Sequence, residues 1–140
     1  MIQHGIRFTF RESASQEQID ACMDSLRKQG EDIPAVSLAV IGRDFGGEYE
    51  YGATYAIDDI EGYWEYLIHP SHLHSDRIGL PIISKFVSFD ITDDPDPEIG
   101  KKIADLHQRR FDEMPWVAEL VGSLDDYAGS SAPGKHGASK

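Results

Sequence analysis

The sequence predicts an α+β fold, a ferredoxin-like four-stranded antiparallel sheet with its helices on one face. The chain has 140 residues, which is the size of about one domain. Short segments with strand-like apolar patterns are separated by segments with helical apolar spacing, in the order β-α-β-β-α-α-β. Because crossover connections are right-handed, both helical segments must lie on the same side of the sheet.

The first strand and the first helix are predicted from clear patterns. Apolar residues alternate with polar ones from Ile2 to Phe10, as in a half-buried strand, and His4 lies on the apolar side. Ser15 and Gln18 have the spacing of a capping box that starts a helix. Its apolar stripe comprises Ile19, Cys22, Met23 and Leu26, and Gly30 is a natural stop.

The rest of the predicted domain follows the same logic. Runs rich in β-branched or aromatic residues predict strands at 35–41, 49–57 and 84–91. Asp58 or Asp59 caps a second helix, which ends at His69 because the next residue is a proline. Ser71 is expected to cap a short third helix that carries His72 on its first turn.

The chain divides into three parts. Residues 1–92 form the ferredoxin-like domain, and an acidic, proline-containing linker follows. Residues 93–127 form a C-terminal helical extension, with apolar residues at Ile99, Ile103, Leu106 and Phe111 and a last apolar segment from Pro115. Residues 128–140 are composed mainly of Gly, Ser, Ala and Lys, which is typical of a disordered tail.

Composition excludes several classes of function. Thirteen Lys and Arg against 25 Asp and Glu give a formal net charge of −12, which repels nucleic acid and anionic lipid. No signal peptide or membrane span is visible, and Cys22 is the single cysteine, so we expect a cytoplasmic protein. The sheet face opposite the helices has no cover, which predicts a homodimer.

The densest group of candidate catalytic residues lies between the second and third helices. His72, on a first helical turn, is kept neutral by the helix dipole and can accept a proton. Tyr66 can donate its phenolic proton to a developing oxyanion, and His4 projects into the same layer to orient a substrate. The competing interpretation is that these histidines are only caps or buried hydrogen-bond partners.

Other chemistries have weaker support. His69, His72, His74 and Asp76 are close in sequence, but their spacing does not line up on one helical face as metal ligands require. Cys22 lies on an apolar stripe, where cysteine acts as a small hydrophobe. The glycines between Gly42 and Gly47 match no phosphate-binding motif, so no cofactor is expected.

Several segments together resemble one known family. They are the first strand with His4, then residues 33–36, residues 42–44, the stretch Tyr66–His72 and residues 86–90. This pattern resembles the stress-responsive dimeric α/β-barrel (Dabb) family over about residues 1–92. The resemblance implies a homodimer in which two ferredoxin-like sheets close into an α/β barrel, and it says nothing about the C-terminal helices.

The resemblance also implies a chemistry. A plant polyketide cyclase of that family performs a cofactor-free aldol condensation with a tyrosine and a histidine that match Tyr66 and His72, and its strand-one histidine matches His4. It carries a further pocket histidine where this chain has Tyr51. By this analogy His72 would be the general base, and the walls of an apolar pocket would comprise Ile6, Phe8, Tyr51, Tyr55, Tyr63 and Trp64.

Two alternatives stay open beside this hypothesis. Our leading expectation is a cofactor-independent enzyme of the cyclase or lyase type, acting on a small, apolar, polyketide-like carbonyl compound. The first alternative is a non-catalytic, dimeric, stress-responsive protein that binds a small molecule, because one fold hosts many functions. The second is a haem-free oxygenase of the related antibiotic-biosynthesis monooxygenase type, which the His-Pro-x-His pattern disfavours.

Overall fold

A computed structural model describes residues 1–131 of the chain. The elements are β1 (Ile2–Phe10), α1 (Gln16–Asp32), β2 (Val36–Arg43), β3 (Tyr51–Ile57), α2 (Ile60–Ile68), α3 (Pro70–Gly79), β4 (Ile83–Thr92), α4 (Ile99–Glu113), α5 (Pro115–Gly122) and β5 (Asp126–Gly129), with a 3₁₀ turn at Leu80–Ile82. No helix in this part of the chain is both long and apolar enough to cross a bilayer.

The sheet contains the predicted ferredoxin-like arrangement. Its strand order is β2-β3-β1-β4-β5, and β1 lies in the middle, antiparallel to both β3 and β4. The helices pack on one face, where alternate β1 residues such as Ile2, His4 and Phe8 are buried. The residues between them point to the other face, as the period of two requires.

The sheet has a fifth strand that the sequence analysis did not include. β5 pairs in parallel with β4, from Lys85 opposite Asp126 to Ser88 opposite Gly129. Gly129 has a φ of +107°, and a Cβ there would lie 1.9 Å from the Ser88 carbonyl oxygen, so only glycine fits. The predicted disordered tail began at residue 128, but Ala128 and Gly129 belong to this strand. Residues 132–140 of that tail lie outside the described residues.

Helix ends follow local chemistry, with one correction. Ser15 and Gln18 form the predicted capping box of α1, and the Asp59 side chain accepts a hydrogen bond from the Gly62 N–H at the start of α2. α3 begins one residue after His69, whose ring nitrogen accepts from the Ser71 N–H at 3.1 Å. His69 therefore caps α3, and the prediction that Ser71 does so is wrong.

One sheet face is left without helices. Leu38 and Val40 on β2 and Ile91 on β4 point to this face with 63%, 63% and 65% of their surface exposed. In the middle of the face the Phe89 ring covers Gly5, where a Cβ would lie 2.2 Å from the ring. Large exposed apolar side chains gathered on one face are typical of a contact surface.

Candidate functional site

A small cavity lies between the helices and the sheet. Its volume is about 50 Å³, which is room for on the order of three or four water molecules. Residues of β1, α1, α2, α3 and β4 contribute to its walls, and so do residues of α4, α5 and β5. His4, Tyr66 and His72, the three residues expected to act in catalysis, all line it.

His72 occupies the first turn of α3 and is 8% exposed. Its Nδ1 lies 3.1 Å from the backbone oxygen of Tyr66, and a carbonyl can only accept, so Nδ1 carries a proton. Burial lowers the pKa of His72 well below 6.5, and the positive charge of Arg110 lowers it further. The neutral ring therefore has its lone pair on Nε2, which lies 3.7 Å from an oxygen of Asp76.

Tyr66 lies directly against this base. The two rings stack with centroids 4.4 Å apart and an interplanar angle of 24°. Burial raises the pKa of Tyr66 well above 10, so the phenol keeps its proton. The phenolic O–H can therefore donate to a ligand oxygen.

His4 is held by a carboxylate and a phenol. Its Nδ1 lies 2.9 Å from an oxygen of Asp90 and 3.0 Å from the hydroxyl of Tyr63. Because a carboxylate can only accept, Nδ1 of His4 carries a proton. Burial of Asp90 opposes ionisation, but the charge and hydrogen bond of His4 and a hydrogen bond from Ser130 together lower the pKa of this carboxyl.

Tyr63 connects His4 to a second buried histidine. Its hydroxyl donates to Asp90 at 2.9 Å and also lies 2.9 Å from Nε2 of His107. Since the one phenolic proton goes to Asp90, Nε2 of His107 must be the donor. Burial lowers the pKa of His107 well below 6.5, with further contributions from His4 and Arg110. The neutral ring therefore has an unprotonated Nδ1, and that atom has no hydrogen-bond partner.

Arg110 and Asp76 form a buried ion pair beside His72. The Nη1 of Arg110 donates to Asp76 at 2.7 Å and to the backbone oxygen of Leu67 at 3.3 Å. Burial raises the pKa of Asp76, and the guanidinium limits that rise. The Nε of Arg110 has no partner, although this side chain is only 5% exposed.

His107 and Arg110 line the cavity, although neither was predicted to be a site residue. Both lie on α4, in the extension that was assigned only a packing role. The signal was present, because His107 and Arg110 follow Ile103 by four and seven residues and so lie on the same helical stripe. A histidine and an arginine on the apolar face of a helix indicate a buried polar site below it.

Three residues that line the cavity each keep an unsatisfied polar atom: Oε1 of Gln29, Nδ1 of His107 and Nε of Arg110. An unsatisfied buried donor or acceptor costs about 1–3 kcal/mol. Most buried polar groups in proteins are hydrogen-bonded. Three exceptions around one cavity therefore indicate that a ligand or ordered water belongs there.

The six residues expected to form the pocket walls divide into two groups. Ile6 and Phe8 line the cavity. The four others lie elsewhere: Tyr51 packs on Phe8 and Phe10, Tyr55 donates to the Leu26 oxygen at 2.8 Å, Tyr63 is the buried connector, and Trp64 lies under Arg109. The cavity wall is consequently more polar than the sequence suggested.

The alternative sites find no geometric support among the described residues. His69 caps α3, and His74 is exposed and does not line the cavity. In residues 1–131 no three His, Cys, Asp or Glu side chains are grouped to hold a metal ion. Burial, with a smaller effect of Asp76, raises the pKa of Cys22 to about 12, so its thiol stays protonated.

Solved structures with the same fold come from bacteria and plants. A dimeric ferredoxin-like protein of unknown function from Thermobifida fusca is 23% identical, with a TM-score of 0.59, and the match covers 65% of this chain and 89% of that one. A hydroxynitrile lyase from Passiflora edulis is 16% identical, with a TM-score of 0.59 and coverage of 66% and 94%. SnoaB, a cofactor-independent oxygenase from Streptomyces nogalater, is 14% identical, with a TM-score of 0.54 and coverage of 69% and 97%.

Among curated proteins, none matches this chain. The model of the stress responsive A/B barrel domain (Dabb) family matches residues 2–93, which extend from β1 to the end of β4. Elements α4, α5 and β5 lie beyond that match, although α4 supplies His107 and Arg110 to the cavity. Because the match spans well over half of the chain, the protein belongs to the stress responsive A/B barrel domain family.

Proposed function

We propose that the protein is a cofactor-independent enzyme of the cyclase or lyase type that acts on a small carbonyl compound. His72 is the general base, Tyr66 stabilises the oxyanion and His4 orients the substrate. The observation that carries this proposal is the neutral, buried His72, whose Nε2 lone pair is beside a phenol and a small cavity. Perturbed titratable groups around a cavity are typical of catalytic sites.

The proposed chemistry is proton transfer next to a carbonyl group. Nε2 of His72 takes a proton from the carbon beside the carbonyl, and negative charge develops on the carbonyl oxygen. The O–H of Tyr66 donates to that oxygen and stabilises the charge. The enolate carbon then attacks a second carbonyl carbon and forms a carbon–carbon bond, and the imidazolium gives its proton to the alkoxide that results. The same steps in reverse break that bond and release the enolate. Asp76, 3.7 Å from Nε2, stabilises the imidazolium while it exists.

Two proteins of the same fold make this class of function reasonable. One is a hydroxynitrile lyase, and the other is an oxygenase that needs no cofactor. Their identities of 16% and 14% to this chain show a shared fold and no shared reaction. They support the proposal only in that this fold hosts catalysis in other proteins.

The size of the cavity restricts the substrate. Pockets for drug-sized ligands are roughly 300–1,000 Å³, and the cavity here is about 50 Å³. The polyketide-like intermediate expected from the resemblance needs more room than this conformation gives. A carbonyl compound with only a few non-hydrogen atoms fits the observed space better.

The competing function is a non-catalytic, dimeric, stress-responsive protein that binds a small molecule. The observation that favours it is the set of hydrogen bonds that Tyr63 makes with His4, Asp90 and His107. These bonds tie α2 to β1, β4 and α4, which is the role of a structural network. Turnover distinguishes the two functions, because only the enzyme accelerates proton exchange.

The test follows solvent deuterium entering the carbon beside the carbonyl of butanone and hydroxyacetone, measured by proton NMR. We expect acceleration by the wild-type protein. His72→Gln should lose about 100-fold or more, because the base is gone, and Tyr66→Phe about 100-fold, because the oxyanion loses its donor.

Matched controls lie outside the cavity. His74→Gln changes a histidine on the same helix, and Tyr49→Phe removes a phenolic hydroxyl far from His72. Both controls should keep the wild-type rate. Equal exchange with and without folded wild-type protein would favour the binding protein instead, and full activity of His72→Gln would refute His72 as the general base.

We also propose that two copies of the chain associate through the sheet face that lacks helices. Leu38, Val40 and Ile91 are exposed there, and burying them against a second copy removes apolar surface from water. The Thermobifida fusca relative is a dimeric protein of this fold. The expected cytoplasmic location stays a prediction, which rests on the single cysteine.

A further inference from the structure

The unsatisfied polar atoms around the cavity indicate which hydrogen-bonding groups a ligand must have. Arg110 offers an N–H donor at Nε. His107 offers an acceptor at Nδ1, because its Nε2 already donates to Tyr63. The third atom, Oε1 of Gln29, is also an acceptor. A complementary ligand therefore has at least one acceptor and at least one donor.

The orientation of the Gln29 amide follows from the serines beside it. Ser75 donates its hydroxyl proton to the Ser71 oxygen at 3.2 Å. Its oxygen must then accept from the Gln29 Nε2 at 2.7 Å and from the Ser25 hydroxyl at 2.6 Å. Because Nε2 is committed as a donor, Oε1 is the end of the amide that lacks a partner.

The charges around the cavity indicate that this ligand is neutral. The guanidinium of Arg110 is already paired with the carboxylate of Asp76 at 2.7 Å. A charged ligand would bring an unpaired charge into a buried space, which is unfavourable. A carbonyl oxygen can accept from Nε–H without adding charge, and a hydroxyl can donate to an acceptor in the same way.

We propose that Arg110, His107 and Gln29 form a recognition site for a small uncharged hydroxy ketone. The ketone oxygen accepts from Nε of Arg110, a hydroxyl donates to Nδ1 of His107, and a second donor, from a second hydroxyl or from water, satisfies Oε1 of Gln29. The proposal rests on the proposed function, since it names the substrate class for the same cavity. It also assigns to α4, outside the family domain, a role in selecting the substrate.

Three probes of nearly equal size test the ligand chemistry. Hydroxyacetone carries the ketone and the hydroxyl. Butanone replaces that hydroxyl by a methyl group, and glycolate replaces the methyl ketone by a carboxylate. Binding is measured by titration calorimetry and by the NMR signal of the Arg110 Nε–H, which is assigned by its absence in Arg110→Lys.

The expected order of affinity has hydroxyacetone first. We expect it to bind about tenfold more tightly than butanone, because a lost hydrogen bond to a buried acceptor leaves that acceptor unpaired. It should also bind more tightly than glycolate, and only hydroxyacetone and butanone should shift the Nε–H signal. The proposal would be overturned if butanone bound as tightly as hydroxyacetone or if glycolate bound most tightly. It would also be overturned if none of the three bound, which would mean that water alone fills the cavity.

Adjacent arginines provide a matched pair of variants. Arg110→Lys keeps a positive charge for Asp76 and removes the Nε donor, so hydroxyacetone should bind about tenfold more weakly. Arg109→Lys changes a surface side chain that pairs with Glu113 and lies over Trp64, and its affinity should equal that of wild type. Equal affinity in Arg110→Lys would contradict the assignment. If Arg110→Lys fails to fold, the wild-type comparison of the three probes decides.

These readouts separate the recognition site from the proposed reaction. Selective binding of hydroxyacetone without deuterium exchange would keep the recognition site and refute the enzyme. Exchange that is equally fast for butanone and hydroxyacetone, with equal affinities, would keep the enzyme and refute the recognition site.

Discussion

At the scale of single residues, burial sets the chemistry of the site. From the sequence, the dipole of α3 was expected to keep His72 neutral. The pKa of His72 is lowered in the structure, which is the expected direction. The structure shows two further causes, because burial lowers the pKa of His72 first and the charge of Arg110 second. Neither cause is visible locally, since Arg110 is 38 positions further along the chain (110 − 72).

The two buried neutral histidines predict how stability depends on pH. His72 and His107 have pKa values well below 6.5 in the folded protein, so the unfolded chain binds more protons once the pH falls below its own histidine pKa, about 6.5. Above about pH 6.5 both histidines are neutral in the folded and the unfolded chain, so they do not reduce stability. The free energy of unfolding falls as the pH drops from about 6.5 towards the pKa values of the folded protein. The expected slope is up to about 1.4 kcal/mol per pH unit for each histidine.

Denaturant unfolding at pH 5 to 7 measures this slope. His107→Gln should reduce the slope, because glutamine does not titrate. His74→Gln, which changes an exposed histidine, should leave it as in wild type. A free energy of unfolding that does not change over this range in the wild-type protein would show that the two histidines are not held neutral.

At the scale of secondary-structure elements, the sequence predicted those features that depend on residues close to one another in the chain. The alternation in β1, the capping box of α1 and the cap at Asp59 each depend on residues within a few positions, and the structure contains all three. β5 depends instead on parallel pairing with β4, about forty residues away. Its residues, Asp-Tyr-Ala-Gly, have little strand propensity, so no local pattern predicts this strand.

The same distinction explains which site residues could be predicted. Tyr66 and His72 lie in one short segment, and His4 follows from the alternation in β1. Asp90, His107 and Arg110 join the site only when β4 and α4 fold over it. The aromatic wall at Tyr51, Tyr55, Tyr63 and Trp64 was expected by analogy, but these side chains pack elsewhere, and other residues line the cavity.

At the scale of the whole molecule, the exposed sheet face predicts self-association. Leu38→Glu and Val40→Glu place a carboxylate among exposed apolar side chains of β2. Burying an unpaired charge in an interface is unfavourable, so we expect each variant to sediment as a monomer where wild type sediments as a dimer at micromolar concentration.

The control adds the same charge on the helical side of the molecule. Gln16→Glu changes an exposed residue at the start of α1, and this variant should stay dimeric. A wild-type protein that sediments with the mass of one chain, or Glu variants that remain dimers, would show that this face is not the contact.

The central claim is that the imidazole of His72 is neutral and that its Nε2 lone pair serves as the base of the site. The nitrogen chemical shifts of ¹⁵N-labelled histidine, assigned to His72 by the His72→Gln variant, measure this directly at pH 7. The account predicts a proton on Nδ1 and none on Nε2, with no titration near pH 6.5. A proton on Nε2, or an imidazolium that loses its proton near or above that pH, would contradict it.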